Sequence, residues 1–170
     1  MAAVDNRGVR EQKQESVDSI ERRSLALFES GMFCAESVLQ TMAEAYGIKN
    51  ALIPKLATGF CGGVARTSGM CGALAGGIMA MGLLSGRCKP ADSKDLCYSL
   101  THRFVETFRV QFGSTQCTDL LGCDISTPEG IETFIADELE NRICTGIVSR
   151  TTGLVEEIYS RRKTIVHPLL

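Results

Sequence analysis

Tryptophan is absent from this 170-residue chain and aromatic residues make up only 6% of it, so a platform for stacking nucleic-acid bases is poorly supplied. An excess of one charge is lacking too. The 18 Lys and Arg are balanced by 20 Asp and Glu, scattered in both signs for a net charge of −2. This argues against a nucleic-acid footprint or a membrane-surface patch. The longest apolar-rich run, Cys71 to Leu84, falls short of the roughly 20 residues a bilayer span needs, so no membrane insertion is expected. The N-terminal stretch MAAVDNRGVREQKQES is polar and lacks the apolar centre of a secretory signal, and a soluble, cytoplasmic protein is expected. Only two histidines are present. His102 falls off the apolar stripe of its helix and His167 sits in the C-terminal tail, so neither is a good catalytic candidate. Strand-like alternation and hairpin dipeptides are missing, which excludes a sheet-based fold.

What the chain does have is helix signals, glycine and cysteine. Residues 1–15 read as a flexible tail and 16–165 as a single helical, cysteine-rich domain. A helix starting at Ser16 or Asp18 carries Val17, Ile20, Leu25 and Phe28 and stops at Gly31. A second runs from Cys34 to Tyr46, with Cys34 in its first turn on the apolar stripe. Asn50–Ala57 is a short helix with Pro54 in its first turn. After a turn at Ser68-Gly69, residues 71–84 are almost all small or apolar, as in a helix at the centre of a bundle. Ala73, Ala75, Gly76, Gly77 and Ala80 would let neighbouring backbones approach it closely. Asp92 or Ser93 is expected to cap a long helix whose stripe is Leu96, Leu100, Phe104, Phe108 and Phe112. Ser114 caps a short turn bearing Cys117. Thr127-Pro128 starts a helix expected to reach Arg142, with Ile131, Phe134, Ile135 and Leu139 on one face. A last helix spans Cys144–Lys163. The fold class is all-α: a single-domain bundle of about six to eight helices around a central Gly/Ala-rich apolar helix.

Residues 59–77, GFCGGVARTSGMCGALAGG, resemble a phosphate-cradling loop, but they lack the Lys-Ser/Thr ending of a P-loop and no strand precedes them. The eight cysteines offer no CxxC, which speaks against zinc ribbons, and no CxxCH, which excludes covalent haem. Without an export signal, four stable disulfides are disfavoured and metal or redox chemistry gains weight. Cys34, Cys71, Cys117 and Cys144 each fall at a helix beginning. A sulfur there meets unpaired backbone N–H groups and the positive end of the helix dipole, and its pKa is expected to fall. Glycines let the amides crowd the sulfur, and Gly62, Gly63 and Gly72 are therefore candidate cofactor-binding positions. The plainer reading is that buried cysteines are small core hydrophobes.

The stretch Cys71-Gly72-Ala73-Leu74-Ala75-Gly76 is similar to the signature of the C_GCAxxG_C_C family of redox-active proteins. Phe33-Cys34-Ala35-Glu36-Ser37-Val38-Leu39 resembles that family's first cysteine element, Thr58–Gly63 its glycine run, and Phe112–Cys117 with Leu120–Gly122 its third element. Cys144 stands where its fourth cysteine is expected. The resemblance covers residues 20–160 and implies a small helical protein whose functional cysteines are Cys34, Cys71, Cys117 and Cys144. Split-Soret-type cytochromes look related in this part, and their suggested use of the cysteines is a non-haem iron–sulfur cluster. Cys61 replaces an expected glycine. Together with Cys88, Cys97 and Cys123 it is additional, available for a second centre or for shuttle disulfides such as Cys88 with Cys97.

Four functions compete. The first is electron transfer through a [2Fe–2S] or [4Fe–4S] cluster held by Cys34, Cys71, Cys117 and Cys144, with an unidentified redox partner protein. The second is thiol–disulfide exchange with Cys71 as nucleophile and Cys34 or Cys117 resolving. The third is binding of a soft ion, Cu(I) or Zn(II), assisted by Met32, Met70, Met79 and Met81, although these methionines also suit a core. The fourth is a helical interaction module with cysteines as filler. The apolar helix faces also allow a homodimer.

Overall fold

The computed structural model describes residues 15–164; the expected N-terminal tail and His167 lie outside or at the edge of that range. Two helices open the chain: α1, Val17–Glu29, and α2, Cys34–Ala45. The Ser16 side chain caps α1 by accepting the backbone N–H of Ser19, and Gly31, at φ 101°, makes the turn that follows. Then come α3, Leu52–Thr58, α4, Cys61–Arg66, and α5, Gly72–Ser85. The chain continues with α6, Asp95–Phe112, α7, Cys117–Leu121, and α8, Pro128–Ala136. A π-helical turn, Glu140–Cys144, leads directly into α9, Thr145–Ser160. Eight of these nine are right-handed α-helices, and among the described residues there is no strand, only an isolated bridge between Met70 and Gln116.

The ninth, α4, is left-handed. Gly62, Gly63, Val64, Ala65 and Arg66 all have positive φ, between 53° and 65°. Glycine adopts this conformation freely, but each of the other three residues costs about 1–2 kcal/mol there. The turn is held by its surroundings. Gly69 N–H donates to the Gly63 carbonyl at 2.9 Å, and the Ser68 hydroxyl donates to Asp124 in the loop after α7.

Helix α5 is the centre that the sequence suggests, packed against α2, α6 and α9. Its glycines have a steric reason. A Cβ on Gly76 would lie 2.6 Å from the Ala35 carbonyl oxygen, and one on Gly77 would lie 2.3 Å from the Phe104 ring. Helix α9 is nearly as buried. Ile147, Val148, Leu154, Val155 and Ile158 face the core, as the periodicity predicts, and Glu156 is buried beside them and accepts the Tyr46 hydroxyl at 2.7 Å.

Several details depart from the sequence expectations. Asp92 does not cap α6; its carboxylate accepts the N–H groups of Cys88 and Lys89 in the preceding loop. Leu96 is exposed, while Leu100, Phe104 and Phe108 further along the expected stripe are fully buried. Helix α8 stops at Ala136 rather than Arg142, since Glu138 takes φ 50° and the chain re-enters helix through the π turn. Ile135 accordingly points to solvent.

Candidate functional site

The bridge between Met70 and Gln116 ties together two helix beginnings that are far apart in sequence. Cys71 N–H donates to the Thr115 carbonyl and Cys117 N–H donates to the Gly69 carbonyl, each at 2.9 Å. Cys71 is the N-cap of α5 and Cys117 the first residue of α7, so the two sulfur-bearing starts lie side by side. Cys34 is the first residue of α2, and Cys144 closes the π turn as the N-cap of α9. The chain brings all four to one cavity of about 80 Å³. Its remaining walls are almost wholly apolar, with Phe28, Leu120, Leu121, Phe134, Ile147 and Val148 among them, and Glu140 is the one ionisable side chain besides the thiols.

The glycines cradle sulfur. A Cβ on Gly72 would stand 2.3 Å from Cys34 Sγ, and one on Gly63 would stand 2.6 Å from Cys117 Cβ and 3.2 Å from its Sγ. Gly62 and Gly72 line the cavity, and Gly63 lies against Cys117. The loop that resembles a phosphate cradle thus presses its bare backbone against thiols.

The helix beginnings do supply amides. Those of Ala73 and Leu74 point at Cys71 Sγ. They do not lower its pKa overall. Burial pushes the Cys71 thiol up and the amides only moderate the rise, reversing the direction expected from the helix start alone. Burial likewise raises Cys117 and Cys144, each to about 12, with the neighbouring cysteines adding to the effect. A lone thiolate in an apolar cavity is costly, and at neutral pH these sulfurs carry their protons. Among the described residues, no three His, Cys, Asp or Glu side chains are already drawn to metal-holding separation.

The other four cysteines do not form one group. Cys61, just before the left-handed turn, is buried beside Cys34 and donates to the Ala57 carbonyl at 3.6 Å. Cys123 is half-buried beside Cys117 and Cys144, in the small cluster with Leu121, Ile125 and Leu139. Cys88 is exposed in the loop after α5, and Cys97 approaches the Met81 carbonyl at 4.0 Å. A 14-residue helix, roughly 20 Å at 1.5 Å per residue, separates the Cys88 loop from the end of α5 that carries Cys71, and among the described residues no group of three metal-holding side chains includes these four cysteines. None of Met32, Met70, Met79 and Met81 lines the cavity. Sequence reasoning missed Phe28, Phe134 and Glu140 as cavity walls. The two phenylalanines were legible only as stripe residues, and Glu140 carried no signal at all.

Among curated proteins, the chain is 29% identical over 166 residues to an uncharacterized protein of Archaeoglobus fulgidus, covering 88% of this chain and 99% of that one. No solved structure matches it. No helix among the described residues is long and apolar enough to cross a membrane. The family described as "Putative redox-active protein (C_GCAxxG_C_C)" matches residues 32–158, a span that holds all four cavity-lining cysteines, and the chain belongs to that family.

Proposed function

We propose that the protein is a small electron-transfer protein that holds an iron–sulfur cluster through Cys34, Cys71, Cys117 and Cys144. One observation carries the reading: four sulfurs from four separate helices, three of them at helix beginnings, line a single apolar cavity. Four thiolates are the usual ligand complement of such clusters, and a bound cluster supplies one-electron redox chemistry. The donor set fits, since it is all sulfur and bare glycine backbone lies against Cys34 and Cys117. The amides of Ala73 and Leu74 at Cys71 suit a sulfur that becomes anionic on ligation. The apolar walls shield Cys71 and Cys117, which are buried, more than Cys34 and Cys144, which are half-buried. Working with free thiols requires a reducing compartment, and the reading assigns the protein to the cytoplasm.

Thiol–disulfide exchange is less well supported. It needs a thiolate near neutral pH, and burial pushes Cys71, Cys117 and Cys144 the other way. Reconstitution with ferrous iron and sulfide under anaerobic conditions should give a brown protein containing both elements. Single Ser replacements at Cys34, Cys71, Cys117 and Cys144 should each abolish or severely weaken loading while leaving the helical circular dichroism intact. Iron-free wild-type protein after that treatment would refute the proposal.

A further inference from the structure

Cys61 is a sulfur that the cluster reading does not use. It does not line the cavity, yet it stands beside a residue that does. Its thiol donates to the Ala57 carbonyl at 3.6 Å and stands beside Cys34 and the backbone amides of Ala35 and Glu36 in the first turn of α2. Gly72 provides a second measure of closeness. The position of a Cβ on that glycine falls 2.3 Å from Cys34 Sγ and 3.2 Å from Cys61 Cα, so both cysteines press on the same point. Both distances start from one point, so Cys34 Sγ lies within about 5.5 Å of Cys61 Cα, close enough for the two side chains to meet the first requirement for a disulfide.

We propose that Cys34 and Cys61 close into a reversible disulfide that withdraws Cys34 from the four-thiol cavity and shuts the site to metal under oxidising conditions. The disulfide rests on the geometry alone; its effect on loading rests on the cluster reading. The oxidant is a small disulfide. Cys34 is partly exposed and Cys61 buried, so Cys34 reacts first. Its sulfur, having lost its proton, attacks one sulfur of the external disulfide and releases one thiol. Cys61 Sγ then loses its proton and attacks Cys34 Sγ, releasing the second thiol. One S–S bond breaks and one forms; two electrons and two protons pass from the protein to the two released thiols.

The test treats reduced, metal-free protein with glutathione disulfide under anaerobic conditions, followed by alkylation and peptide mapping by mass spectrometry. The expected result is a Cys34–Cys61 crosslink in the wild type. Cys61→Ser should instead retain glutathione on Cys34, with Cys61→Ala as a second variant and circular dichroism confirming the fold of both. Oxidised wild type should lose iron and sulfide uptake and regain it with dithiothreitol, and Cys61→Ala should not form the blocked, crosslinked state. Crosslinks joining Cys34 to Cys71, or persistent glutathione on Cys34 in the wild type, would overturn the inference. A mapped Cys34–Cys61 crosslink in a protein that takes up no iron even when reduced would support the disulfide and refute the cluster. Iron uptake unaffected by a mapped crosslink would refute the switch and leave the cluster standing.

Discussion

The two ends of α5 use the same residue types to opposite effect. At its beginning, Gly72 and Gly76 are pressed against Cys34 and the backbone of α2, and Cys71 joins three other thiols at the cavity. At its end, Gly82 has nothing within 4 Å of where a side chain would sit, Leu83 is exposed, and Cys88 lies in solvent. Glycine and cysteine content therefore does not locate a site. Contact does: a glycine matters where a Cβ would strike something, and a cysteine matters where other sulfurs are near.

That contrast can be broken in measurable ways. The largest expected effect is on the crowded end's response to alkali. Cys117 and Cys144 are raised from an ordinary 9.0 to about 12 in the folded protein. The folded state then holds protons that the unfolded state releases, so stability is fully present below pH 9 and is lost as pH rises toward 12. Urea titrations of the metal-free protein should show a fall on the order of 1.4 kcal/mol per pH unit for each thiol. Metal loading should run the other way and weaken as pH falls, because ligation must displace those same protons.

Next in size is Gly76→Ala. Its new methyl would meet backbone at Ala35, which cannot swing aside, and denaturant unfolding should show a loss of about 1–3 kcal/mol despite the better helix propensity of alanine. Gly82→Ala, six residues along the same helix, should have the opposite sign and stabilise by about 0.5–1 kcal/mol, since only the propensity gain remains. Smallest is Cys88→Ser in the exposed loop, which should change stability by less than about 0.5 kcal/mol and leave iron uptake unchanged.

Much of this was legible along the chain. The three helix beginnings that carry Cys34, Cys71 and Cys117 are announced locally, by Gly31, by Ser68-Gly69 and by Ser114; the start expected at Cys144 is instead the interior of a helix, because the π turn runs straight into α9. The density of small residues in 71–84 marks α5 as central, because only a helix approached from several sides tolerates so many glycines. Three features were not legible. The left-handed turn at 62–66 places Val64 and Ala65 where their own preferences oppose it, and contacts from Gly69 and Asp124 hold it there. Cys61 and Cys123 come to lie beside the site only because α4 and the loop after α7 fold back next to it. The direction of the thiol pKa shifts followed from burial, which overrode the local helix-start effect.

The sequence by itself determined that the protein is helical, that its centre is α5, and that Cys34, Cys71 and Cys117 begin helices, because capping, turn formation and apolar periodicity are decided within a few neighbouring residues. Only the tertiary structure decided that the sulfurs of Cys34, Cys71, Cys117 and Cys144 share one apolar cavity, that Cys61 stands beside Cys34, and that burial holds the protons on Cys71, Cys117 and Cys144. Distance between remote residues and exclusion of water are properties of packing, and no local stretch of chain encodes them alone.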